Sequence, residues 1–303
     1  MGILVVGSVA FDDVRTPFGA EVGILGGSAT YFGVAASHFT EVAVVAVVGD
    51  DFPETNVAFL RGRGIDVSGL QRVPGRTFRW KGEYSGDMNA ARTLETQLNV
   101  FADFSPELLP RHRQPDILFL GNIDPDLQRR VLEQVRRPRI VACDTMNYWV
   151  ASKRDSLLRT LALVDILLIN DAETRQLAGE SNLVRAARRV LEMGPKTLIV
   201  KRGEHGALMV SRSGFFAAPA LPLEDVVDPT GAGDSFAGGF MGHLASVGAV
   251  DDRELRRAVV FGTVMASFNV CAFGPQLLSA LTRRDIEARF EEFRGLTRFE
   301  GDS

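Results

Sequence analysis

The sequence predicts an α/β fold in which helices cover both faces of a mostly parallel sheet. Short runs of almost wholly apolar, β-branched residues recur along the chain, and such runs are typical of strands buried on both faces. Amphipathic segments of helical length separate these runs, as the crossover connections between parallel strands require. The chain has 303 residues, of which 46% are hydrophobic and 24% charged. A chain of this size can bury one large core, and its length fits two domains equally well; we take 1–303 as a single domain.

The predicted elements follow one another in a regular order. Buried strands are predicted at 3–7, 41–49, 116–121, 139–144, 165–170 and 197–201. Helices are predicted at 28–39, 126–137, 153–162, 171–178 and 181–193, and one more helix is predicted to end near Gly64. Ligands of open α/β sheets bind beyond the carboxyl ends of the strands. We therefore expect one crevice at the polar residues and glycines that follow these strands, which include Ser8, Asp50, Asn122, Asp144, Asn170 and Lys201.

One region departs from this order. In TFRWKGEY (77–84) the large side chains Phe78, Trp80 and Tyr84 have the same parity, which is the pattern of a half-buried antiparallel strand. Together with VRTPFGAEV (14–22), this strand is predicted to form a small sheet that projects from the main domain. The pattern leaves open whether the three aromatic side chains face a ligand or pack within the sheet.

Composition and missing motifs exclude several classes of function. The formal net charge of −4 does not favour a nucleic acid or an anionic membrane as partner. No apolar run reaches the ~18 residues of a membrane span, and the N-terminus has no signal-peptide pattern, so we expect a cytoplasmic protein. The sequence lacks GxxxxGK[ST], a GxGxxG after the first strand, HExxH and GxSxG, which argues against P-loop, NAD-binding, zinc-hydrolase and serine-triad chemistry.

The stretch VVDPTGAGDSFAGGF (226–240) carries the clearest chemical signal. A helix is predicted to begin at Gly231, Ala232 and Gly233, where unpaired N–H groups and the positive end of the helix dipole would face an anion. Asp234 follows in the first turn, where the same field would keep it ionised. An ionised carboxylate can accept the proton of a substrate hydroxyl as that oxygen attacks phosphorus. The alternative is a plain N-terminal helix charge behind a glycine turn.

DPTGAGDSFAGGF resembles the C-terminal signature of the ribokinase, or PfkB, family of carbohydrate kinases. Further segments resemble that family in the same order: GSVAFD (7–12), GILGGSATYFGVAAS (23–37), the stretch 47–70, DILLINDAETRQLAG (165–179), KTLIVKRGEHGALMV (196–210) and FGTVMASFNVCAFGP (261–275). The resemblance implies a ribokinase-like, doubly wound α/β domain with a small β lid, which we expect at about 13–24 and 72–100. It also implies ATP as the phosphoryl donor.

The resemblance implies roles for the matched residues. Asp234 would be the catalytic base, in an anion hole formed by Gly231, Ala232 and Gly233. The acceptor would contact Asp12, Gly26 and Gly27, with Tyr31 and Asn122 as further candidates. ATP would contact Asn170, Lys201, Arg202, Gly203, Gly206, Gly233 and Asn269. Glu173 would organise Mg²⁺ through water, and Asp228 and Thr230 match a loop that binds K⁺ in many members.

Structural alternatives stay open for most of these residues. Asp12 also suits a turn after the first strand, and Gly26–Gly27 a turn before a helix. Asn170 and Glu173 fit a helix N-cap and its N3 partner. Asn269, on an apolar helix, also suits a satisfied buried amide. Lys201 and Arg202 also suit solvated charges at a strand end. Asp228 and Thr230 also suit a simple turn.

Two departures from the family pattern bear on the acceptor. Ser28 and Tyr31 stand where ribokinases commonly have Lys and Asn, and Asn122 stands where an acid contacts ribose. Tyr31 either stacks on a ligand ring or fills the core. These changes argue against ribose, so we expect phosphorylation of a hydroxyl, most simply a primary one, on another sugar or a polyol. An adenosine-type nucleoside is the alternative, a non-catalytic ligand-binding protein is a remote one, and a homodimer through the lid is compatible with each.

Overall fold

The computed structural model describes residues 2–298, so Met1 and 299–303, the ends of the predicted domain, lie outside it. The strands are β1 (Ile3–Val6), β2 (Ala10–Thr16), β3 (Gly19–Gly26), β4 (Val42–Val48), β5 (Asp66–Arg72), β6 (Arg79–Ser85), β7 (Asp87–Gln97), β8 (Ile117–Leu120), β9 (Ile140–Asp144), β10 (Ile166–Asn170), β11 (Thr197–Lys201), β12 (Ala207–Ser211) and β13 (Gly214–Ala218). The helices are α1 (Ser28–Ala36), α2 (Glu54–Gly62), α3 (Pro125–Gln134), α4 (Asn147–Ser152), α5 (Arg154–Leu161), α6 (Asp171–Ala178), α7 (Leu183–Leu191), α8 (Ala232–Val247), α9 (Asp252–Asn269), α10 (Gln276–Ala280) and α11 (Arg283–Thr297).

The main sheet has the strand order β13-β12-β11-β10-β9-β8-β1-β4-β5. From β11 to β5 all neighbouring strands are parallel, whereas β12 and β13 extend the β11 edge in antiparallel fashion. Because the parallel strands have the same direction, their carboxyl ends lie along one edge of the sheet. The predicted, mostly parallel α/β sheet is thereby confirmed.

Apolar side chains of the sheet pack on both of its faces. In β1, Ile3 and Val5 belong to one buried cluster and Leu4 and Val6 to another. The first cluster joins the sheet to α1, α2, α8, α9, α10 and α11, and the second joins it to α3, α4, α5, α6 and α7. Helices therefore cover both faces, as predicted. Within residues 2–298, none of these helices is both long and apolar enough to cross a membrane.

The projecting strands form a second sheet with the order β3-β2-β6-β7. β6 is antiparallel to β7, as predicted, but it is parallel to β2, which the sequence analysis did not predict. Side-chain parity cannot distinguish the two, because residues alternate between faces in both kinds of pairing. The predicted shared face is present: Tyr84 is buried, and Phe78 and Trp80 are partly buried. Phe78 stacks on Phe101, with ring centroids 5.3 Å apart.

Glycines in α8 let this helix approach its neighbours closely. A Cβ on Gly238 would lie 2.5 Å from the Phe32 carbonyl oxygen in α1, and one on Gly239 would lie 2.7 Å from the Phe261 carbonyl oxygen in α9. Glycine inside a helix costs roughly 0.5–1 kcal/mol relative to alanine. The close packing fixes the position of α8, and with it the position of its N-terminal turn at the edge of the sheet.

Candidate active site

The N-terminal turn of α8 presents free backbone donors. Gly231 is the N-cap residue, with a φ of 75° that favours glycine. Among residues 2–298, the amides of Gly231 and Gly233 have no hydrogen-bond partner, whereas the Ala232 amide donates to the Pro229 carbonyl at 3.0 Å. The expected set of three free amides is thus reduced by one, because the tight turn from Pro229 to Ala232 uses the middle donor. Two donors at a helix N-terminus still suit an anion.

Asn269 supports this turn from behind. It is only 2% exposed. Its Nδ2 donates to the Thr230 carbonyl at 2.8 Å, and the Ser235 hydroxyl donates to its Oδ1 at 3.0 Å. The structure therefore favours the buried-amide interpretation of Asn269, and this side chain is not among those that line the cleft described below.

Asp234 lies in the first turn of α8 and is half-buried. Burial and the nearby Asp144 raise its pKa to about 7, and Lys201 opposes them in part. The sequence-based expectation that the helix dipole keeps Asp234 ionised is therefore not met, because desolvation is the larger effect. A carboxyl group with a pKa near neutrality is well matched to accepting a proton at physiological pH.

Asp12 forms the second carboxyl of the cluster and lies against α1's N-terminus. A Cβ on Gly26 would overlap its Oδ2, and Gly27, with a φ of 94°, is the N-cap of α1. Burial, followed by the charges of Asp228 and Asp234, raises the pKa of Asp12 to about 8, against a hydrogen bond from the Gly27 amide. The predicted residues Asp12, Gly26 and Gly27 are thus brought together, next to the loop that carries Asp234.

Asp228 is fully buried beneath this loop. Its Oδ1 accepts from the Thr230 amide at 2.9 Å, while its Oδ2 has no hydrogen-bond partner among the described residues. Burial raises its pKa. The Thr230 hydroxyl makes a 3.4 Å contact with the Tyr84 hydroxyl, so the loop also touches the small sheet.

Tyr31 and Asn122 are already engaged within the protein. Tyr31 is 1% exposed, and a Cβ on Gly231 would overlap its ring. The ring therefore fills the core under the α8 turn and is not available for stacking on a ligand. Among the residues that the structure describes, its buried hydroxyl has no hydrogen-bond partner. Burial, together with Asp12 and Asp228, raises the pKa of Tyr31 well above 10.0. Asn122 Oδ1 accepts from Trp149 Nε1 at 3.1 Å.

Asn170 and Glu173 form a capping box at the start of α6. The Glu173 amide donates to Asn170 Oδ1 at 2.7 Å, and the Asn170 amide donates to Glu173 Oε2 at 2.9 Å. Burial and the charge of Asp144 raise the pKa of Glu173 to about 7. The two residues therefore form the N-cap and its N3 partner, as one of the two interpretations predicted. Asn170, at the carboxyl end of β10, also lines the cleft described below.

A cleft of about 1020 Å³ lies at the carboxyl ends of β10 and β11. Its walls come from these strand ends, the start of α8, the inner side of α9, residues 220–226 and the tips of the small sheet. The predicted residues that line it are Asn170, Lys201, Arg202, Gly203, Gly206, Ala232 and Gly233. The size is that of sites for large organic ligands. Asp12, Asp228 and Asp234 are not part of this lining.

Two residues of this region were not predicted as site residues. Asp144, at the end of β9, pairs with Lys201 at 2.7 Å, and its position after a buried strand had placed it at the expected crevice. Asn89, in β7, reaches across the cleft: its Nδ2 donates to Glu204 Oε1 at 3.0 Å, and the Glu204 amide donates to its Oδ1 at 2.9 Å. A Cβ on Gly203 would overlap Asn89 Oδ1. No sequence pattern marks Asn89, because it lies in a largely polar strand.

Known proteins with similar sequences are kinases. The family model for pfkB carbohydrate kinases matches residues 6–282. The cytidine kinase of Thermococcus kodakarensis is 30% identical over 249 residues, which are 80% of this chain and 87% of that one. The aminoimidazole riboside kinase of Salmonella typhimurium is 31% identical over 182 residues, which are 56% of this chain and 57% of that one.

Solved structures share the fold. A nucleoside kinase of Burkholderia thailandensis in complex with inosine matches with a TM-score of 0.77 and 22% identity, over 97% of this chain and 99% of that one. A putative ribokinase II from E. coli, in complex with ATP and Mg²⁺, matches with a TM-score of 0.78 and 20% identity, over 96% of this chain and 99% of that one. The resemblance inferred from the motifs is confirmed: the chain belongs to the pfkB family of carbohydrate kinases.

Proposed function

We propose that this kinase transfers the terminal phosphoryl group of ATP to a primary hydroxyl group of a nucleoside. The observation that carries the nucleoside assignment is the 30% identity to a cytidine kinase over 80% of the chain. The sequence alone favoured a sugar or polyol and kept the nucleoside as the alternative. The relatives reverse that preference, because the first two are named for a nucleoside and a riboside.

Asp234 is the base of the proposed reaction. The acceptor hydroxyl loses its proton to the Asp234 carboxylate as its oxygen forms a bond to the terminal phosphorus, and the bond from that phosphorus to the bridging oxygen of ADP breaks. The free amides of Gly231 and Gly233 supply donors for the negative charge on the transferred group. Asp12, with Gly26 and Gly27 beside it, is placed to hydrogen-bond the acceptor.

Mg²⁺ fits this site only with help from the substrate. Within residues 2–298 there is no group of three or more His, Cys, Asp or Glu side chains arranged to hold a metal ion. Mg²⁺ commonly keeps several waters and binds substrate phosphates with one or two carboxylates. We infer that Glu173 contributes through water and that the ion neutralises phosphate charge. The buried, unpartnered Asp228 Oδ2 is the feature that fits K⁺ near Thr230.

An ADP-release assay with ATP and Mg²⁺ tests this function. The acceptors would be cytidine, uridine, adenosine, inosine, free ribose, a polyol and 2-dehydro-3-deoxygluconate, the last because a kinase of that name is 27% identical over 77% of this chain. We expect kcat/KM for at least one nucleoside to exceed that for ribose by 100-fold or more. Turnover of the sugar acid alone would replace the nucleoside proposal, and tight binding without any turnover would favour a non-catalytic protein.

Asp234→Asn is the matching variant for the base. Loss of a general base typically costs about 10²–10⁴-fold in rate. We expect kcat to fall by at least that order while ATP still binds, as isothermal titration calorimetry can measure. An unchanged kcat would remove Asp234 from this role.

The small sheet is proposed as the lid, and its edges as a dimer contact. β3 and β7 are its two edge strands, and Val22 in β3 is 74% exposed. Unpaired strand edges can pair with another chain. Light scattering on the purified protein would measure the mass, and a monomer at micromolar concentration would argue against the dimer. A cytoplasmic location is part of the same proposal and would be tested by cell fractionation.

A further inference from the structure

We propose that Lys201 is a catalytic residue that donates hydrogen bonds to the phosphoryl group in transfer, and that Asp144 is the positioning residue that holds its amine. This inference deepens the proposed function and rests on it. Lys201 was predicted from the sequence only as a nucleotide contact at a strand end, and Asp144 only as one of the polar residues at the expected crevice.

The two side chains form a buried pair behind the cleft. Lys201 ends β11 and Asp144 ends β9, and Lys201 Nζ lies 2.7 Å from Asp144 Oδ2. The Lys201 side chain is 18% exposed and lines the cleft, whereas the Asp144 side chain is 6% exposed and does not. The carboxylate therefore anchors the amine from the protein side, while the amine itself faces the space that a ligand would enter.

The same amine lies next to the α8 turn. A Cβ on Gly233 would be 3.1 Å from Lys201 Nζ and 3.7 Å from its Cδ and Cε atoms. The Gly233 amide itself has no hydrogen-bond partner among the described residues. The ammonium group and this amide thus lie side by side, and both are donors that an oxygen of a phosphoryl group can accept from.

The surrounding charges explain why a cation is needed there. Burial lowers the pKa of Lys201, but Asp144 and Glu173 outweigh it and leave the pKa raised, so the amine stays charged. Asp144, Glu173 and Asp234 all lie close enough to this ammonium group to raise its pKa. A phosphoryl group entering next to these carboxyls would be repelled, and Lys201 offsets that repulsion. Lys201 only donates hydrogen bonds and keeps its protons throughout. The proton of the acceptor hydroxyl goes to Asp234, and the phosphoryl group passes from ATP to the acceptor.

Lys201→Met tests the contact directly, since methionine keeps the length and removes the charge. Removing one preorganised donor from a transition state typically costs about 10²–10³-fold in kcat. We expect such a loss, with the acceptor KM changed less than threefold. In calorimetry with Mg²⁺, binding of a non-hydrolysable ATP analogue should weaken at least tenfold and binding of ADP less than threefold, because only the analogue carries a terminal phosphate.

Lys196→Met is the matched control. Lys196 lies just before the other end of β11 and pairs with Asp165, also at 2.7 Å, but its side chain is 78% exposed and is not among those that line the cleft. This variant should leave kcat and both nucleotide affinities within twofold of the parent protein. Should Lys201→Met fail to fold, Lys201→Gln, which can still donate to Asp144, is measured in the same way.

The pH profile separates catalysis from structure. Asp144 raises the pKa of Asp234 and Lys201 lowers it. Lys201→Met should therefore shift the acidic limb of kcat/KM to higher pH, and Asp144→Asn should shift it to lower pH. If the pair were purely structural, both variants would lose activity in proportion to their loss of thermal stability. The acidic limb of kcat/KM would then stay where it is in the parent protein.

The assignment of Lys201 would be overturned if Lys201→Met weakened the binding of ADP and of the ATP analogue equally. It would also be overturned if the acidic limb of kcat/KM did not move in the two variants. The nucleotide measurements need no acceptor. If none of the acceptors is turned over, the proposed function fails, while the difference between the analogue and ADP still decides the role of Lys201.

Discussion

Gly231→Ala is expected to damage both stability and turnover. Two costs can be worked out from the structure. The φ of 75° at Gly231 places alanine in the left-handed region, which costs about 1–2 kcal/mol. The new Cβ would also lie 2.5 Å from Tyr31 Cδ1 and closer still to Cγ and Cδ2. Overpacking of this kind typically adds about 1–3 kcal/mol, because the buried ring or the turn must move.

Gly248→Ala supplies the control at the other end of the same helix. Gly248 has a φ of 69°, so alanine meets the same backbone cost, but nothing lies within 4 Å of its Cβ position. Urea denaturation should therefore show a loss of about 1–2 kcal/mol for Gly248→Ala and about 2–5 kcal/mol for Gly231→Ala. The difference between the two variants measures the contact with Tyr31.

The same pair of variants separates stability from catalysis. A shift of about 1 Å in a reacting group can cost on the order of 10²-fold in rate. We expect the ADP-release assay to show such a fall in kcat for Gly231→Ala and a parental kcat for Gly248→Ala. Equal losses of stability in the two variants, or a parental kcat in Gly231→Ala, would refute the argument that Tyr31 and Gly231 together set the position of the turn.

Three further predictions concern titration and support of the site. With a pKa of about 7 for Asp234, kcat/KM should rise with pH and reach half of its plateau near neutrality; a flat profile from pH 5 to 9 would contradict this. Asp12 has a pKa raised from 3.8 to about 8, so its ionisation destabilises the fold progressively as pH rises through that interval; the melting temperature of Asp12→Asn should exceed that of the parent by an amount that grows from pH 5 to pH 8. Asn269→Ala removes the donor to the Thr230 carbonyl and should lower the free energy of unfolding in urea by about 1–3 kcal/mol. The affinity for ADP should change less than tenfold. Unchanged stability together with a larger loss of ADP affinity would instead support a contact between Asn269 and adenine.

Much of the fold was readable from the sequence because its buried strands are continuous apolar runs. The four central predictions at 3–7, 116–121, 139–144 and 165–170 correspond to β1, β8, β9 and β10. The edge strand β7, DMNAARTLETQ, was covered only by the predicted lid range, since its exposed, polar sequence has no clear alternation. The parallel pairing of β6 with β2 was also out of reach, because pairing direction depends on chain connection and not on side-chain pattern.

The chemistry of the site was less predictable than its location. The motif placed Asp234 correctly at the start of a helix, but its pKa depends on burial and on Asp144, which is 90 residues earlier in the chain. The Lys201–Asp144 pair and the Asn269–Thr230 hydrogen bond join residues 57 and 39 positions apart, respectively. Such pairings are set by the order of strands and helices in space, which no local spacing records.

The reciprocal hydrogen bonds between Asn89 and Glu204 have a kinetic consequence. They tie Asn89 in β7 to Glu204 in the segment after β11, and both residues line the cleft. At roughly 1 kcal/mol each, these two exposed hydrogen bonds contribute about 2 kcal/mol to holding the small sheet at this position. Movement of the small sheet away from this segment therefore has to wait until both bonds have opened.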